Sequence, residues 1–311
     1  MVLCTVILAV LAAYAIAKIY FKLTTGWCKS QTCLVGKTAL ITGANTGIGY
    51  ETALDFAKRG ARVILACRSK SKAEEARSRI ISETGNENIV VKIVDMASFD
   101  SVRAFAREIN ESERRLDILV NNAGIISYGD RTSKDGLPLL IQTNHFSGFL
   151  LTHLLLDLLK KSAPSRIVNV SSLAAAFATK FDVNQVEKHI SNGDDYNNSK
   201  LCNVYFTQEL AKKLKGTGVT VYSLHPGVIK TDIINTMDGI RKIGFTLMMN
   251  FMSKNPEEGA QTTIYCSVAK GIEELSGEHF ADCKRIKPYK TALNEGAAKK
   301  LWEKSERIVK L

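Results

Sequence analysis

No C-x-x-C pair occurs in these 311 residues; the seven cysteines stand singly at Cys4, Cys28, Cys33, Cys67, Cys202, Cys266 and Cys283. An odd number without regular spacing argues against a disulfide framework and for a reducing compartment. Zinc-finger spacing and zinc-ligand clusters are missing too, so no metal is expected to take part in the chemistry. With no RNP-like run and no dense Lys/Arg block, nucleic acid is not an expected partner. Nothing repeats internally, and no composition shift marks a second globular domain. Charge is absent from the start of the chain, because Met1 to Ala17 carries no ionisable acid or base of the Asp, Glu, Lys or Arg type.

What is present is ordinary for a globular protein: 45% apolar and 23% charged residues. Lys and Arg exceed Asp and Glu by 42 to 31, a net charge of +11. That excess suits an anionic membrane surface or a phosphorylated cofactor. The uncharged start continues through Ile19-Tyr20-Phe21 past Lys18. A helix of that length spans about 31 Å, the hydrocarbon thickness of a bilayer. The other reading is a cleaved signal peptide, but a basic leading region and a small-residue cleavage site are both missing. Residues 1–22 are therefore expected to be a membrane anchor, 23–36 a linker and 37–311 a single catalytic domain. Lys18, Lys22 and Lys29 all follow the apolar run, which places the body on the cytosolic side.

From Lys37 onward short apolar strands alternate with amphipathic helices. Strands are expected at 38–42, 62–66, 89–94, 116–120, 166–170, 219–224 and 278–280. Helices are expected at 50–59, 71–82, 99–109, 137–161, 196–215 and 258–268. Strands without polar alternation, separated by helices, predict an α/β fold with a doubly wound parallel sheet buried on both faces. Two stretches break the rhythm, 174–195 and 229–254, and the second is expected to be a substrate lid. Its apolar centre, Ile243 to Met252 between basic flanks, also suits contact with a bilayer.

Thr42-Gly43-Ala44-Asn45-Thr46-Gly47-Ile48-Gly49 follows the first strand and opens the first helix. Glycines at this point permit a tight turn and let backbone N–H groups approach a pyrophosphate at the helix N-terminus. Tyr196-Asn-Asn-Ser-Lys200 sets a phenol and an ammonium four residues apart on one helix face. A nearby cation favours phenolate, so Tyr196 is expected to have a lowered pKa. It would then act as general acid when a carbonyl is reduced and as general base in reverse.

The G-x-x-x-G-x-G spacing, the Y-x-x-x-K tetrad and Asn121-Asn122-Ala123-Gly124 together resemble the short-chain dehydrogenase/reductase family. The likeness runs from about Gly36 to Trp302. It is nearest the branch of microsomal retinol dehydrogenases 11 to 14, through Ala66-Cys-Arg68, Phe149-Leu-Leu-Thr152, Leu224-His-Pro-Gly-Val228, Glu258-Gly-Ala-Gln-Thr262 and Ser276–Lys284. The resemblance implies a catalytic set of Asn144, Ser172, Tyr196 and Lys200. It implies cofactor contacts from Gly43, Asn45, Thr46, Gly47, Ile48 and Gly49, from Asp95, Asn122, Ala123 and Gly124, from Tyr196 and Lys200, and from Pro226, Gly227 and Thr231. Where NAD enzymes carry an acid after the second strand, this chain has Arg68, a planar multi-donor group suited to a 2′-phosphate, so NADP(H) is expected.

The implied reaction is interconversion of retinal and retinol, or of related lipid aldehydes and alcohols, at an endoplasmic reticulum or lipid-droplet membrane. Two other readings stay open: a reductase of medium-chain aldehydes, isoprenoids or steroids, and a non-catalytic NADP(H)-binding scaffold. Oligomeric state is not written in the sequence. The chain departs from the branch where Asn144-His-Phe-Ser-Gly-Phe149 moves a glycine, where Asn197 and Asn198 fill the tetrad, and across 174–195.

Overall fold

The computed structural model describes residues 12, 14, 16–126, 131–189, 194–228 and 253–311. The expected anchor lies mostly outside the described residues, as do Thr231 and nearly all of the expected lid. Residues 16–24 are helical. Among the described residues no helix is long and apolar enough to cross a membrane.

The body is built on eight strands in the order β3-β2-β1-β4-β5-β6-β7-β8. They are β1 (Thr38–Thr42), β2 (Arg62–Cys67), β3 (Ile89–Ile93), β4 (Ile118–Asn121), β5 (Ser165–Val170), β6 (Val219–Leu224), β7 (His279–Ala281) and β8 (Lys284–Ile286). The first seven run parallel and β8 returns antiparallel to β7. β1 is buried along its whole length, as a parallel strand covered on both faces must be. One face carries α1 (Gly47–Lys58), α2 (Lys70–Thr84) and α6 (Pro256–Val268); the other carries α3 (Phe99–Ser112), α4 (Ser147–Leu154), α5 (Asp194–Lys213) and α7 (Glu295–Val309). β1 pairs with β2 on one side and β4 on the other, so the order in which strands are added reverses there, and a crevice opens at the strands' C-terminal ends.

Three local features differ from the sequence expectation. The single helix expected over 137–161 is broken into Leu139–Ile141, a π-helical turn Gln142–Phe146, α4, and a last short helix Leu156–Lys161. A π turn holds one residue more than its α equivalent and redirects the side chains there, Asn144 among them. β8 was not expected; it follows Asp282 and Cys283, which turn the chain with φ of 47° and 56° and no glycine. α7 was also not expected. Asn294 caps it by accepting from the Ala297 N–H at 3.0 Å, and its Ala298, Leu301, Trp302 and Ser305 face is buried.

The stretch expected as a linker is an extended strap on the body. Ser30 and Thr32 hydroxyls both donate to the Val268 carbonyl, and the Leu34 N–H donates to the Arg59 carbonyl at 2.9 Å.

Candidate active site

The glycine turn is held from below. The Thr42 hydroxyl accepts the backbone N–H groups of Asn122 and Ala123, each at 3.0 Å. The Asn122 amide returns to the Thr42 carbonyl at 2.8 Å and the Gly43 carbonyl at 3.3 Å. These bonds fasten the Asn122-Ala123-Gly124 turn to the turn that opens α1. A Cβ on Gly49 would lie 2.3 Å from the Gly43 carbonyl oxygen, so nothing larger than glycine fits. Around Gly47, at φ +58°, a Cβ would meet nothing within 4 Å. That open space at the start of α1 is what a pyrophosphate needs, with free N–H groups of the first helical turn aimed at it.

The glycine turn has a further support, Cys67, whose buried thiol lies beside the backbone of Ala44 and Asn45. Burial pushes that thiol up to about 11, so it stays protonated and serves as packing rather than as a nucleophile. The sequence offered no signal for this role beyond its position at the end of β2.

A cleft of about 950 Å³ runs from this turn to the mouth of β5. Gly43, Asn45, Thr46, Gly47, Ile48 and Gly49 line it, as do Arg68, Asp95, Asn122, Ala123, Gly124, Ser172, Tyr196, Lys200, Pro226 and Gly227. Arg68 is exposed at the rim. Asp95 is fixed by its own turn: its carboxylate accepts from the Ala97 N–H at 3.0 Å, and its N–H donates to the Ser101 hydroxyl at 2.9 Å. Of the expected cofactor contacts, only Thr231 lies outside the described residues.

At the far end β5 stops at Val170 and hands the chain to two serines with different surroundings. Ser171 is buried and donates to the Lys200 carbonyl at 2.6 Å. Ser172 faces the cleft, which Tyr196 also lines, and accepts from the Ala174 N–H at 3.1 Å. Four residues along α5, the buried Lys200 ammonium donates to the Val170 carbonyl at 3.2 Å and lies 5.7 Å from the Tyr196 ring centre.

Asn144, on the π turn, is not free to meet a substrate. Its amide bridges the Ile125 N–H and carbonyl at 2.8 and 2.9 Å and donates to the Ser199 hydroxyl at 3.0 Å. The Asn144 carbonyl accepts from the Asn203 amide at 3.0 Å, and His145 turns away from the cleft to contact Asn203 and Ser305. Gly124 completes the packing here: a Cβ would come 3.2 Å from Lys200 Nζ and 3.3 Å from Asn144 Oδ1.

The electrostatics correct one expectation. Burial raises the Tyr196 pKa, and the neighbouring Ser172 side chain only partly opposes this. Burial also lowers Lys200 to about 8. Desolvation disfavours both charged forms and outweighs the attraction between phenolate and ammonium at this separation. In this state Tyr196 is an acid holding its proton, in the same cleft lining as the Ser172 hydroxyl. That arrangement can polarise and protonate a carbonyl oxygen.

The family described as short chain dehydrogenase matches residues 37–239. The chain belongs to the short-chain dehydrogenase family. It is 47% identical over 289 residues to mouse retinol dehydrogenase 11, covering 93% of this chain and 91% of that protein. It is 45% identical to human retinol dehydrogenase 12 over 90% of this chain and 88% of that one. Human retinol dehydrogenase 13 is 44% identical over 93% and 89% of the two chains. Among solved structures, an uncharacterised protein from Mycobacterium paratuberculosis superposes with a TM-score of 0.73 at 29% identity, covering 92% of this chain and 98% of that one. The Pseudomonas aeruginosa RhlG/NADP active-site complex gives 0.64 at 26% identity, over 80% and 95%. The short-chain dehydrogenase described here is thus an oxidoreductase acting on alcohol and carbonyl groups with a nicotinamide cofactor.

Proposed function

We propose that this enzyme reduces retinal, or a related lipid aldehyde, to the alcohol with NADPH, and runs the reverse reaction with NADP+. The observation that carries the reading is that Ser172, Tyr196 and Lys200 line one cleft whose mouth is walled by apolar side chains. Leu139, Leu173 and Phe177 line that mouth, and Phe177 is 63% exposed, a surface that a long apolar substrate would cover. The relatives named as retinol dehydrogenases support the substrate class.

When bound, the nicotinamide supplies the hydride. The chain's part is to hold and polarise. Ser172 orients the carbonyl oxygen, Tyr196 gives it a proton, and Lys200 holds positive charge beside the phenol as that proton leaves. Asn144 keeps the π turn and the 124–125 backbone in register with α5. Asn45, Thr46, Gly47 and Ile48 present the helix N-terminus to the pyrophosphate, and Asp95 and Asn122 flank the adenosine and nicotinamide halves. Pro226, Gly227 and Thr231 are assigned to the nicotinamide end. Exposed Arg68 offers its guanidinium to a 2′-phosphate, and no carboxylate replaces it at the end of β2.

Residues 1–22 are proposed to anchor the chain in the endoplasmic reticulum or a lipid-droplet surface, with residues 37–311 in the cytosol. The segment 229–254 is proposed to close over the substrate. Steady-state reduction of all-trans-retinal, nonanal and a ketosteroid, each with NADPH and with NADH, tests the reading. The highest kcat/KM is expected for retinal with NADPH, and a preference for NADH would overturn the Arg68 assignment. One observation favours a second reading, a reductase of other apolar carbonyls. Asn197 lines the cleft and brings an amide to the substrate end, where it would select a carbonyl partner more polar than a retinoid.

A further inference from the structure

A second concavity lies on the other side of the molecule's entry strap. The Gly26 N–H donates to the Asp282 carboxylate at 3.1 Å, and the Cys28 N–H donates to the Gln261 side chain at 3.2 Å. A Cβ on Gly26 would come 2.0 Å from the Asp282 carbonyl oxygen, so the strap lies flat on the β7–β8 turn. Lys22, one turn earlier, pairs with Glu258 at the start of α6. Between strap, α6 and hairpin is a groove of about 1210 Å³, and Leu23, Trp27, Lys29, Lys270 and Lys284 line it.

The charges in this groove do not balance. Among the described residues its one lining carboxylate, Asp282, is already bonded to Lys254 at 2.5 Å. Lys29, Lys270 and Lys284 are exposed, and among the described residues none of them has a carboxylate within ion-pair distance. Three ammonium groups around one hollow repel one another unless an anion sits between them. The neighbouring surface is apolar. Leu23 is 80% exposed and Trp27 45%, directly after a helical stretch whose Ile19 and Tyr20 are 58% and 64% exposed. Exposed aliphatic side chains, then an indole, then unpaired lysines is the succession met on passing from acyl chains through the glycerol level to the headgroups.

We propose that this groove binds the headgroup of an acidic glycerophospholipid, with Lys29, Lys270 and Lys284 on its phosphate and carboxylate oxygens and Trp27 at the glycerol level. The inference rests on the anchoring proposed above for residues 1–22. It adds a specific lipid class and a seat for it on the folded body. The strap fixes the seat to α6 and the hairpin, so the headgroup also sets which face of the body meets the membrane.

Trp27 makes the site measurable, because the chain has only two tryptophans and Trp302 is buried in the core. The full chain is reconstituted in phosphatidylcholine vesicles carrying equal mole fractions of acyl-brominated phosphatidylserine or acyl-brominated phosphatidylcholine. Bromine quenches indole only at short range, so relative quenching reports which lipid gathers at Trp27. Phosphatidylserine is expected to be enriched by tenfold or more. A lysine near an acidic surface contributes about fivefold. The Lys29→Gln/Lys270→Gln/Lys284→Gln variant is therefore expected to bring the ratio close to one, with quenching by the neutral lipid unchanged and aldehyde reduction in detergent intact. Equal quenching by both lipids in a chain that floats with the vesicles overturns the headgroup site and leaves the anchor standing. A chain that does not float overturns the anchor and the site with it. Retention of the preference by the triple variant overturns the lysine assignment. Inorganic phosphate at matched ionic strength is expected to leave the preference intact; its loss would assign the lysines to a free anion and overturn the lipid.

Discussion

At the cofactor end of the cleft, Gly49 is pressed against the Gly43 carbonyl and Asn122 clamps two turns together; at the substrate end, Leu173 and Phe177 stand open to solvent. The first end is made of backbone. Its requirements are a positive φ, a missing Cβ and an amide that reaches two carbonyls, and few residue types meet them. The second end is made of side chains on a 3-10 turn, Leu173–Phe177, and of segments beyond it. Many apolar residues would serve there equally well. Under the proposed function, chemistry and specificity separate along this line: the backbone-built end would fix the cofactor and the side-chain-built end would select the substrate.

Tyr196 sits where the two ends meet, and its removal is expected to have the largest effect. Tyr196→Phe removes only the phenolic oxygen and its proton, so NADPH binding should persist while kcat falls by about 10² to 10⁴. Cofactor titration by fluorescence and turnover on the same preparation separate the two. Near-normal turnover would move the proton donor elsewhere.

The next expectation concerns stability and the buried network behind the site. Burial lowers His145 to about 4, below its ordinary 6.5. As pH falls through 6.5 the unfolded chain takes up a proton that the folded chain refuses until about pH 4. The stability conferred by a neutral His145 is therefore full above pH 6.5 and is lost on acidification across that window. By pH 5 the loss is about 2 kcal/mol from this residue alone. His225, lowered to about 4, and His279, lowered to about 3, act in the same direction. Urea unfolding at pH 7.5 and pH 5 measures the sum, and equal midpoints would show that the histidines are not buried neutral.

Arg68→Ala sharpens the comparison at the cofactor end. A charge-assisted contact to a phosphate is worth about 1.5–3 kcal/mol, so the KM for NADPH should rise by one to two decades while that for NADH stays. An equal rise for both would make Arg68 structural. The smallest effect is expected at the other end. Phe177→Ser removes an apolar wall worth about 1 kcal/mol to a long substrate, near fivefold in KM for retinal, with little change for a short soluble aldehyde. A matching loss on the short aldehyde would place Phe177 in the fold rather than in the substrate path.

The same comparison explains what could be read from the sequence. The parallel sheet, the glycine turn and the pairing of Tyr196 with Lys200 follow from short-range patterns: apolar runs, glycine spacing and i to i+4 geometry; Ser172, at the end of β5, rests on the family resemblance. The π turn at Gln142–Phe146 left no such pattern, because its extra residue is accommodated by packing against α5 and the 124–125 backbone. The β7–β8 turn at Asp282 and Cys283 carries positive φ without the glycine that normally announces it. The raised pKa of Tyr196 was hidden for a different reason. The tetrad shows that an ammonium is near, but not that both groups are buried or that desolvation exceeds their attraction. α7, by contrast, carries sequence marks: Asn294 and Glu295 at its start, and Ala298, Leu301, Trp302 and Ser305 at helical spacing.

The chemistry proposed for this cleft is hydride transfer from NADPH to a lipid aldehyde with Tyr196 supplying the proton. The most direct measurement uses the full chain with NADPH deuterated at the transferred C4 position and all-trans-retinal, and weighs the product by mass spectrometry. Retinol carrying one deuterium at C15 is expected from the wild type, and from Tyr196→Phe the same product formed about 10² to 10⁴ times more slowly with cofactor still bound. Unlabelled retinol, or equal labelled product from the Tyr196→Phe chain, would contradict it.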